Sequence, residues 1–241
     1  MGTSERKQRE RARREQEIVA KAKELFLAKG YEATTVDEIA DALEISKGVI
    51  YAHFTGKEEI YFRILREGHE IMLNCFEQAV ATQKVGLAKF GAIGMAYGRF
   101  WNDYPDYRRI MSQTVTHSKT VEPGLERKQA EEIDRRIEQI DVSTIQLGIA
   151  DGSIRPDINP TVAAFIISHS THGVLQALED NECHLNEMKI KPEDVMITAI
   201  ELLGRSISNL PEEKLSQFSS IVSGRENGTK IRKKSNMRVK T

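Results

Sequence analysis

Apolar residues recur along most of this chain every three or four positions, which is the period of an amphipathic helix. The first apolar stripe comprises Ile18, Val19, Ala22, Leu25 and Phe26. Gly30 follows Lys29, and a glycine at that position is typical of a helix end. No segment alternates apolar and polar residues over any length, as a half-buried strand would. The pattern therefore predicts an all-α protein.

Two short helices follow the first one at close spacing. Thr35-Val36-Asp37-Glu38 predicts a capping box, in which Thr35 caps the amide three residues on and Glu38 reaches back. The buried face of this helix would comprise Val36, Ile39, Ala40 and Leu43. Ser46 is a favourable N-cap for the next helix, which would bury Ile50 and Phe54. A connection of roughly three residues between them is typical of a helix-turn-helix.

The other side chains of the third helix face outward or flank its buried face. They are Lys47, Gly48, Val49, Tyr51 and His53. Lysine can donate to guanine or phosphate, glycine permits close approach, valine can contact a thymine methyl, and tyrosine can contact a phosphate or a base. Thr35, at a helix N-terminus, offers a hydroxyl and free amides to a phosphate. The alternative is an ordinary solvated face of a small helix.

Residues 15–65 resemble the DNA-binding domain of TetR-family transcriptional regulators. The resemblance lies in AKELFLAKGYEATTVDEIADALEISKGVIYAHFTGKEEI. It implies DNA contacts from Thr35, Ser46, Lys47, Gly48, Tyr51, His53 and Lys57, and a divergent all-α C-terminal domain for ligand binding and dimerisation. One departure is Thr55-Gly56 ahead of Lys57, where the family more often has a Ser, Asn or Asp cap. Thr55-Gly56-Lys57-Glu58 would supply an alternative capping box.

The chain divides into four predicted segments. They are a basic N-terminal arm at 1–14, a helix-turn-helix domain at 15–60, a helical ligand-binding and dimerisation domain at 61–222, and a basic, disordered tail at 223–241. After the helix that starts near Lys57, the periodicity predicts helices at about 87–103, 106–116, 125–148, 160–179 and 193–209.

Charge is unevenly distributed, although the formal net charge is only −1. Residues 1–16 hold six basic and three acidic side chains, and residues 223–241 hold seven basic and one acidic. Either terminus could follow a phosphate backbone. The alternative for the arm is a solubilising helical extension with pairs such as Arg6–Glu10 and Arg11–Glu15, and the alternative for the tail is no specific role.

Composition indicates the cellular compartment and argues against a secreted or membrane-spanning protein. The 241 residues include only two cysteines, Cys75 and Cys183, with no C-x-x-C pair, which favours a reducing, cytoplasmic location. The N-terminus is charged and has no apolar core after it, so no secretory signal is predicted. Residues 158–178 carry no charge, but polar residues such as Asn159, His169 and Gln176 argue against a membrane span.

Helix 160–179 is apolar on most sides, which predicts burial between its own domain and a partner subunit. Helix 193–209 has the same two-sided character, so two helices from each subunit would form a four-helix dimer interface, as in the family. The predicted interface comprises Phe165, Ile166, His169, Gly173, Ala177, Met196, Ala199, Ile200, Leu203 and Ile207. The alternative is a monomeric core pair.

Aromatic and methionine side chains concentrate between residues 90 and 111, where the single Trp of the chain lies. The predicted ligand pocket comprises Met72, Phe76, Phe90, Tyr97, Phe100, Trp101, Tyr104, Tyr107 and Met111. Such side chains suit an apolar ligand, although each could equally be plain helix–helix core. No cluster of basic or acidic side chains in the sequence indicates the charge of a ligand.

These features predict a homodimeric repressor that a small, largely apolar ligand releases from a near-palindromic DNA operator, with helix four as the coupling element. One alternative is a DNA-binding protein of the same fold that a protein partner controls. Another is a metal- or ligand-binding helical protein, since His169, His172 and Cys183-His184 could ligate a metal, although histidines three apart are more often packing residues. No catalytic motif, cofactor or bound metal is predicted.

Overall fold

The computed structural model describes residues 3–112 and 122–223, and this part of the chain contains eleven helices. They are α1 (Thr3–Lys29), α2 (Val36–Ala42), α3 (Lys47–Tyr51), α4 (Lys57–Ala81), α5 (Gly86–Asp103), α6 (Pro105–Met111), α7 (Leu125–Ala150), α8 (Pro160–Asp180), α9 (Glu182–Glu187), α10 (Pro192–Ile207) and α11 (Glu212–Ser223). Within these ranges the only β-type pairing is an isolated bridge between Ile154 and Ser208. The all-α prediction is confirmed.

The first three helices and the start of α4 form one small core. Each helix contributes at least one fully buried apolar side chain. These are Ile18 and Phe26 of α1, Ile39 of α2, Ile50 of α3 and Ile60 of α4. Burying a side chain of this kind stabilises a fold by about 1.5–3 kcal/mol. The apolar stripes in the sequence therefore meet on one side of the domain and fix the direction of α3.

The ends of these helices follow their local sequence. Gly30 has φ +86°, and its amide donates to the Phe26 carbonyl at 2.9 Å, as a left-handed helix end requires. The capping box between Thr35 and Glu38 forms. The alternative capping box at Thr55 was wrong, because Gly56 is the N-cap of α4 and no side chain caps that helix.

Helix α4 belongs to both domains. Its first half places Ile60 and Ile64 in the N-terminal core, and its second half places Met72 and Phe76 in a C-terminal core with α5 and α7. A continuous 25-residue helix thus connects the two. A second C-terminal cluster lies among α5, α7, α8, α10 and α11 and includes Phe218.

Three segments differ from the sequence prediction. The predicted basic arm is not separate from the first helix, because α1 begins at Thr3 and continues without a break to Lys29. Helices α9 and α11 were not predicted from the sequence, although Leu215, Phe218 and Val222 of α11 are buried. Helix α6 ends at Met111, and the predicted continuation at 113–116 and the tail at 224–241 lie outside the described residues. In the described chain, no helix has the length and hydropathy needed to cross a bilayer.

Candidate DNA-binding surface and internal cavity

Helix α3 is held by its buried face and open on its outer face. Ile50 is fully buried and Phe54 is 4% exposed, whereas Tyr51 is 55% exposed. A Cβ added to Gly48 would meet only the Ser46 Oγ, at 3.7 Å, so the backbone there is accessible. The Ser46 hydroxyl makes no cap hydrogen bond at the N-cap position. Ser46, Gly48 and Tyr51 are therefore accessible to a molecule that binds the outer face of α3.

Two charged contacts connect α2 to its neighbours. Lys47 Nζ lies 2.6 Å from Asp37 Oδ2, and this hydrogen bond raises the pKa of Lys47. The Glu38 carboxylate accepts from Lys29 and from the Thr35 amide, and these bonds lower its pKa to about 2. Glu38 also accepts from the Thr35 hydroxyl. The Thr35 hydroxyl and amide, which were predicted to be available to a phosphate, both donate to Glu38 in this structure.

His53 and Lys57 hold elements of the domain together, whereas the sequence analysis placed them on flanking DNA backbone. The His53 side chain is 12% exposed, and its Nδ1 lies 3.2 Å from Glu15 Oε1 on α1. Lys57 Nζ donates to the Tyr31 carbonyl at 2.8 Å and lies 4.1 Å from the centre of the Tyr31 ring. These contacts were invisible in the sequence because they join residues 26 to 38 positions apart.

The basic part of α1 runs beside α3. Lys7, Arg11 and Arg14 line a shallow groove with Val49 and His53. The expected Arg11–Glu15 pair forms at 3.0 Å, and Arg14 pairs with Glu17 at 2.7 Å. Arginine and lysine along one edge of α3 extend the cationic surface beyond the helix-turn-helix itself.

Comparison with known families decides how this domain is classified. Residues 18–64 match the family model described as bacterial regulatory proteins of the tetR family. Residues 18–64 therefore form a TetR-family DNA-binding domain. The match covers the three helices of the TetR domain and the start of α4.

Relatives of this chain extend the match into the C-terminal domain. The repressor KstR2 of Mycolicibacterium smegmatis is 27% identical over 163 residues, which is 66% of this chain and 77% of KstR2. A tetR-family regulatory protein from Rhodococcus RHA1 has a TM-score of 0.66 at 24% identity, over 82% of this chain and 98% of that one. FadR of Bacillus subtilis, solved in complex with stearoyl-CoA, has a TM-score of 0.63 at 18% identity, over 81% of this chain and 99% of FadR. These structures show that the chain shares their all-α fold, and the KstR2 match extends the similarity beyond residues 18–64.

An internal cavity of about 300 Å³, partly open to solvent on the side of Asp134, Glu138 and His169, lies between α4, α5, α7 and α8, with Ile200 of α10 at its edge. It is lined by Met72, Phe76, Phe90, Ile93, Gly94, Tyr97, Asp134, Ile137, Glu138, Asp141, Thr144, Ile145, Ala164, Ile167, Ser168, His169, Thr171, His172 and Ile200. Four residues of the predicted pocket therefore line it, namely Met72, Phe76, Phe90 and Tyr97.

The other five residues of the predicted pocket lie elsewhere. Phe100 and Trp101 are almost fully buried in helix packing, and Tyr104 is an exposed residue at the end of α5. The Tyr107 hydroxyl donates to Glu67 at 3.2 Å, and both Tyr107 and Met111 pack against Gly68 of α4. Tyr107 and Met111 belong to α6, which packs against the first half of α4, whereas the cavity lies beside the second half.

Three carboxylates of α7 give the cavity a charge that the sequence analysis missed. Asp134, Glu138 and Asp141 are spaced i, i+4 and i+7 and so share a helix face. Burial raises the pKa of Asp141 to about 7, and the Glu138 carboxylate adds to the shift. The statement that no acidic cluster indicates a ligand charge is corrected. The sequence did contain a sign of this cluster, because each of the three acids directly follows an isoleucine of the apolar stripe Ile133, Ile137 and Ile140.

Polar groups of α5 and α8 face the same space. The Tyr97 hydroxyl lies 2.9 Å from His172 Nδ1, and the His172 ring packs edge-on to Trp101. Burial, together with the neighbouring His169, lowers the pKa of His172. His169 Nδ1 donates to the Phe165 carbonyl at 2.8 Å. Among residues 3–112 and 122–223, no group of three or more His, Cys, Asp or Glu residues could hold a metal ion.

The predicted dimer residues divide between two environments. On α8, Phe165, Ile166, His169, Gly173 and Ala177 are all exposed and form one stripe. On α10, Ala199 and Leu203 are half-buried. Met196, Ile200 and Ile207 were placed wrongly, because they are 6%, 1% and 6% exposed within their own subunit and a partner can cover little more of them. The exposed side of α10 carries Leu202 instead, at 64%.

Ion pairs connect α7 to the interdomain helix α4. Glu126, in the first turn of α7, accepts from Arg66 at 2.7 Å and from Arg63 at 3.4 Å. Arg127 lies 3.6 Å from Glu58 in the first turn of α4. The helix that carries the cavity carboxylates is therefore attached to the part of α4 nearest the DNA-binding domain.

Proposed function

We propose that this chain is a homodimeric TetR-family repressor that binds a near-palindromic DNA operator and leaves it when a small, largely apolar ligand fills the internal cavity. The observation that carries the proposal is the outward face of α3. Its Tyr51 is more than half exposed although the flanking Ile50 and Phe54 are buried. An exposed aromatic beside an accessible glycine backbone and a lysine is suited to contacts in a major groove.

Two subunits supply two recognition helices. Helices that read successive major grooves lie about 34 Å apart, and a twofold axis between them requires a near-palindromic site. The exposed stripe of α8 around Phe165 and Ile166 is the surface that we assign to dimerisation, together with Leu202 of α10. Large apolar side chains that cluster on a surface are typical of subunit interfaces.

Ligand binding is coupled to DNA binding through α7 and α4. A ligand in the cavity contacts the α7 face that holds Asp141, and the Glu126–Arg66 contact transmits a shift of α7 to α4. Helix α4 begins in the core of the DNA-binding domain, so a tilt of α4 changes the separation of the two α3 helices. The relatives support this assignment: KstR2 is named a repressor, and FadR was solved with stearoyl-CoA.

The DNA-binding part is tested by selecting duplexes from a random pool and measuring affinity at 150 mM salt by fluorescence anisotropy. Tyr51→Ala should weaken the selected duplex about 10- to 100-fold, as expected for loss of one base-reading contact per subunit. The matched control is Tyr104→Ala, which removes an exposed tyrosine at the far end of α5. A wild-type protein without sequence preference would refute the proposal.

The regulatory part is tested on the selected duplex. A compound library is screened for thermal stabilisation of the protein, and each hit is scored for release of DNA. A hit that binds tightly yet leaves operator affinity unchanged counts against ligand control and favours control by a protein partner. The selected sequence itself should show two inverted half-sites.

A further inference from the structure

The internal cavity has a fixed sign of charge. Of its nineteen lining residues, three are acidic, namely Asp134, Glu138 and Asp141, and none is lysine or arginine. We propose that the cavity binds an apolar organic cation, such as a lipophilic amine, and that the Asp141 carboxylate is its counter-ion. The inference rests on the proposed role of the cavity as the effector site.

The position of Asp141 carries the argument. It lies on the inner face of α7 between Ile137 and Ile145, which are 6% and 2% exposed. In the described part of the chain, no lysine, arginine or histidine lies within ion-pair distance of Asp134, Glu138 or Asp141, although seven other acids of α4 and α7 have such a partner. Those acids are Glu58, Glu67, Glu70, Glu77, Glu126, Glu131 and Glu132. A carboxylate inside an apolar cavity is costly unless a cation compensates it.

The opposite wall adds hydrogen-bonding groups without adding a cation. The Tyr97 hydroxyl of α5 and His172 Nδ1 of α8 are hydrogen-bonded to each other, and burial lowers the pKa of His172, which disfavours the charged imidazolium. Burial and the nearby Asp141 charge together raise the pKa of the Tyr97 hydroxyl, so it stays protonated. His169, also in the wall, bonds to the Phe165 carbonyl. The polar end of the cavity therefore favours a ligand that brings positive charge.

The rest of the wall selects for an apolar body. Met72 and Phe76 of α4, Phe90 and Ile93 of α5 and Ile167 of α8 surround the space. A cavity of about 300 Å³ accommodates a small drug-sized molecule or a medium alkyl chain. A carboxylate or phosphate head group would meet three carboxylates of its own sign, so acyl anions are disfavoured.

The titration of Asp141 agrees with this geometry. Burial disfavours the charged form of Asp141 and raises its pKa to about 7. A bound cation would favour the ionised carboxylate and draw the pKa downward. The other ionisable groups at the cavity are Asp134 and Glu138 on α7, Tyr97 on α5, and His169 and His172 on α8. On α4, His69 interacts electrostatically with Asp134, and burial lowers the pKa of this histidine.

The test uses three probes with the same ten-carbon chain, decylammonium, 1-decanol and decanoate, each below its micellar concentration. Binding to the full chain is followed at pH 7.5 without DNA through Trp101, the single tryptophan, whose ring packs against the cavity residues Tyr97 and His172. The dissociation constants are confirmed by calorimetry. Decylammonium should bind at least tenfold more tightly than decanol and more tightly still than decanoate.

Asp141→Asn should abolish the preference for decylammonium over decanol, because it removes the counter-ion and keeps the shape. Glu132→Gln is the matched control, since Glu132 is an exposed acid on the outer face of α7 that pairs with Arg135, and it should leave the preference unchanged. Equal or tighter binding of decanoate by the wild type overturns the proposal, as does an unchanged preference in Asp141→Asn.

The same experiment separates this inference from the function on which it rests. Because binding is measured without DNA, a protein that prefers decylammonium but shows no sequence-specific DNA binding supports the cationic cavity and refutes the repressor function. A protein that binds DNA specifically but prefers decanoate keeps the repressor function and refutes the cationic cavity.

Discussion

Lys47 on α3 and Asp37 on α2 form an ion pair, with 2.6 Å between Nζ and Oδ2, at the surface that we assign to DNA. Both side chains are more than half exposed, so the pair contributes little to stability. Its effect is on the surface itself, because the Asp37 carboxylate competes with a phosphate or a guanine for the Lys47 ammonium.

Asp37→Asn should therefore raise the affinity for duplex DNA several-fold, and more at low salt than at high salt. The measurement is a salt titration of binding by anisotropy. Asp180→Asn, at the end of α8, is a control of equal charge change away from α3. If Asp37→Asn weakened binding, Asp37 would instead be needed to position Lys47.

Adjacent residues of α3 should separate stability from recognition. Ile50→Ala removes a fully buried side chain and should lower the free energy of unfolding by about 2–4 kcal/mol. Tyr51→Ala changes an exposed side chain and should alter stability by about 0.5 kcal/mol or less while it weakens operator binding. Urea denaturation followed by circular dichroism gives both values. Similar destabilisation by the two variants would show that Tyr51 is part of the core.

Phe165→Glu should produce monomers. Phe165 is 62% exposed in the isolated subunit and stacks on His169 at 4.0 Å between ring centres. A charge buried in an apolar interface is strongly unfavourable. Light scattering after gel filtration measures the mass, and operator affinity should fall about 100-fold or more because two linked contacts become one.

Leu125→Glu is the control for that experiment, since Leu125 is a similarly exposed apolar residue on α7. It should leave the dimer unchanged. A wild-type protein that is already monomeric, or a Phe165→Glu variant that stays dimeric, would remove α8 from the interface.

The raised pKa of Asp141 should be detectable in how the free energy of unfolding depends on pH. Its pKa is raised from the usual value near 4 to about 7 in the folded chain. Between these values the folded state holds a proton that the unfolded state has lost, so this residue makes stability fall as pH rises, by at most about 1.4 kcal/mol per pH unit. Above about pH 7 the decrease stops.

Asp141→Asn removes that decrease, and its gain in stability over the wild type should grow from pH 4 to pH 7. Urea denaturation at half-unit pH steps gives the difference curve, which cancels the contributions of all other groups. Glu132→Gln, an equal chemical change on the exposed face of α7, is the control variant. A flat curve for Asp141→Asn would mean that Asp141 titrates as a solvated acid.

Two glycines set the distance between α5 and α7. A Cβ added to Gly86 would lie 2.2 Å from the Cα and N of Gly148, and backbone cannot yield as a side chain can. Gly86→Ala should destabilise the C-terminal domain by about 1–3 kcal/mol or more. Gly56→Ala, where an added Cβ meets nothing within 4 Å, should change stability by about 1 kcal/mol or less. Equal thermal shifts for the two variants would contradict the close approach.

Local sequence was sufficient to predict most of the helices and the exposed side of α3, because these depend on neighbours within one turn. The capping box at Thr35, the glycine stop at Gly30 and the inward direction of Ile50 all follow from local spacing. The resemblance to the TetR family rests on the same short-range pattern. Local period and capping are therefore sufficient to place Tyr51 on the outside of α3.

Which side of a two-sided helix meets its own core depends on how the helices pack together. Helix α10 is apolar on two sides, and packing against α5 and α11 assigned Met196, Ile200 and Ile207 to the interior and left Leu202 exposed. The same holds for Asp141, which becomes a buried charge only when α5 and α8 close over α7, and for Glu15 and His53, 38 residues apart. Burial is a property of the assembled helices, so no periodicity along one helix specifies it.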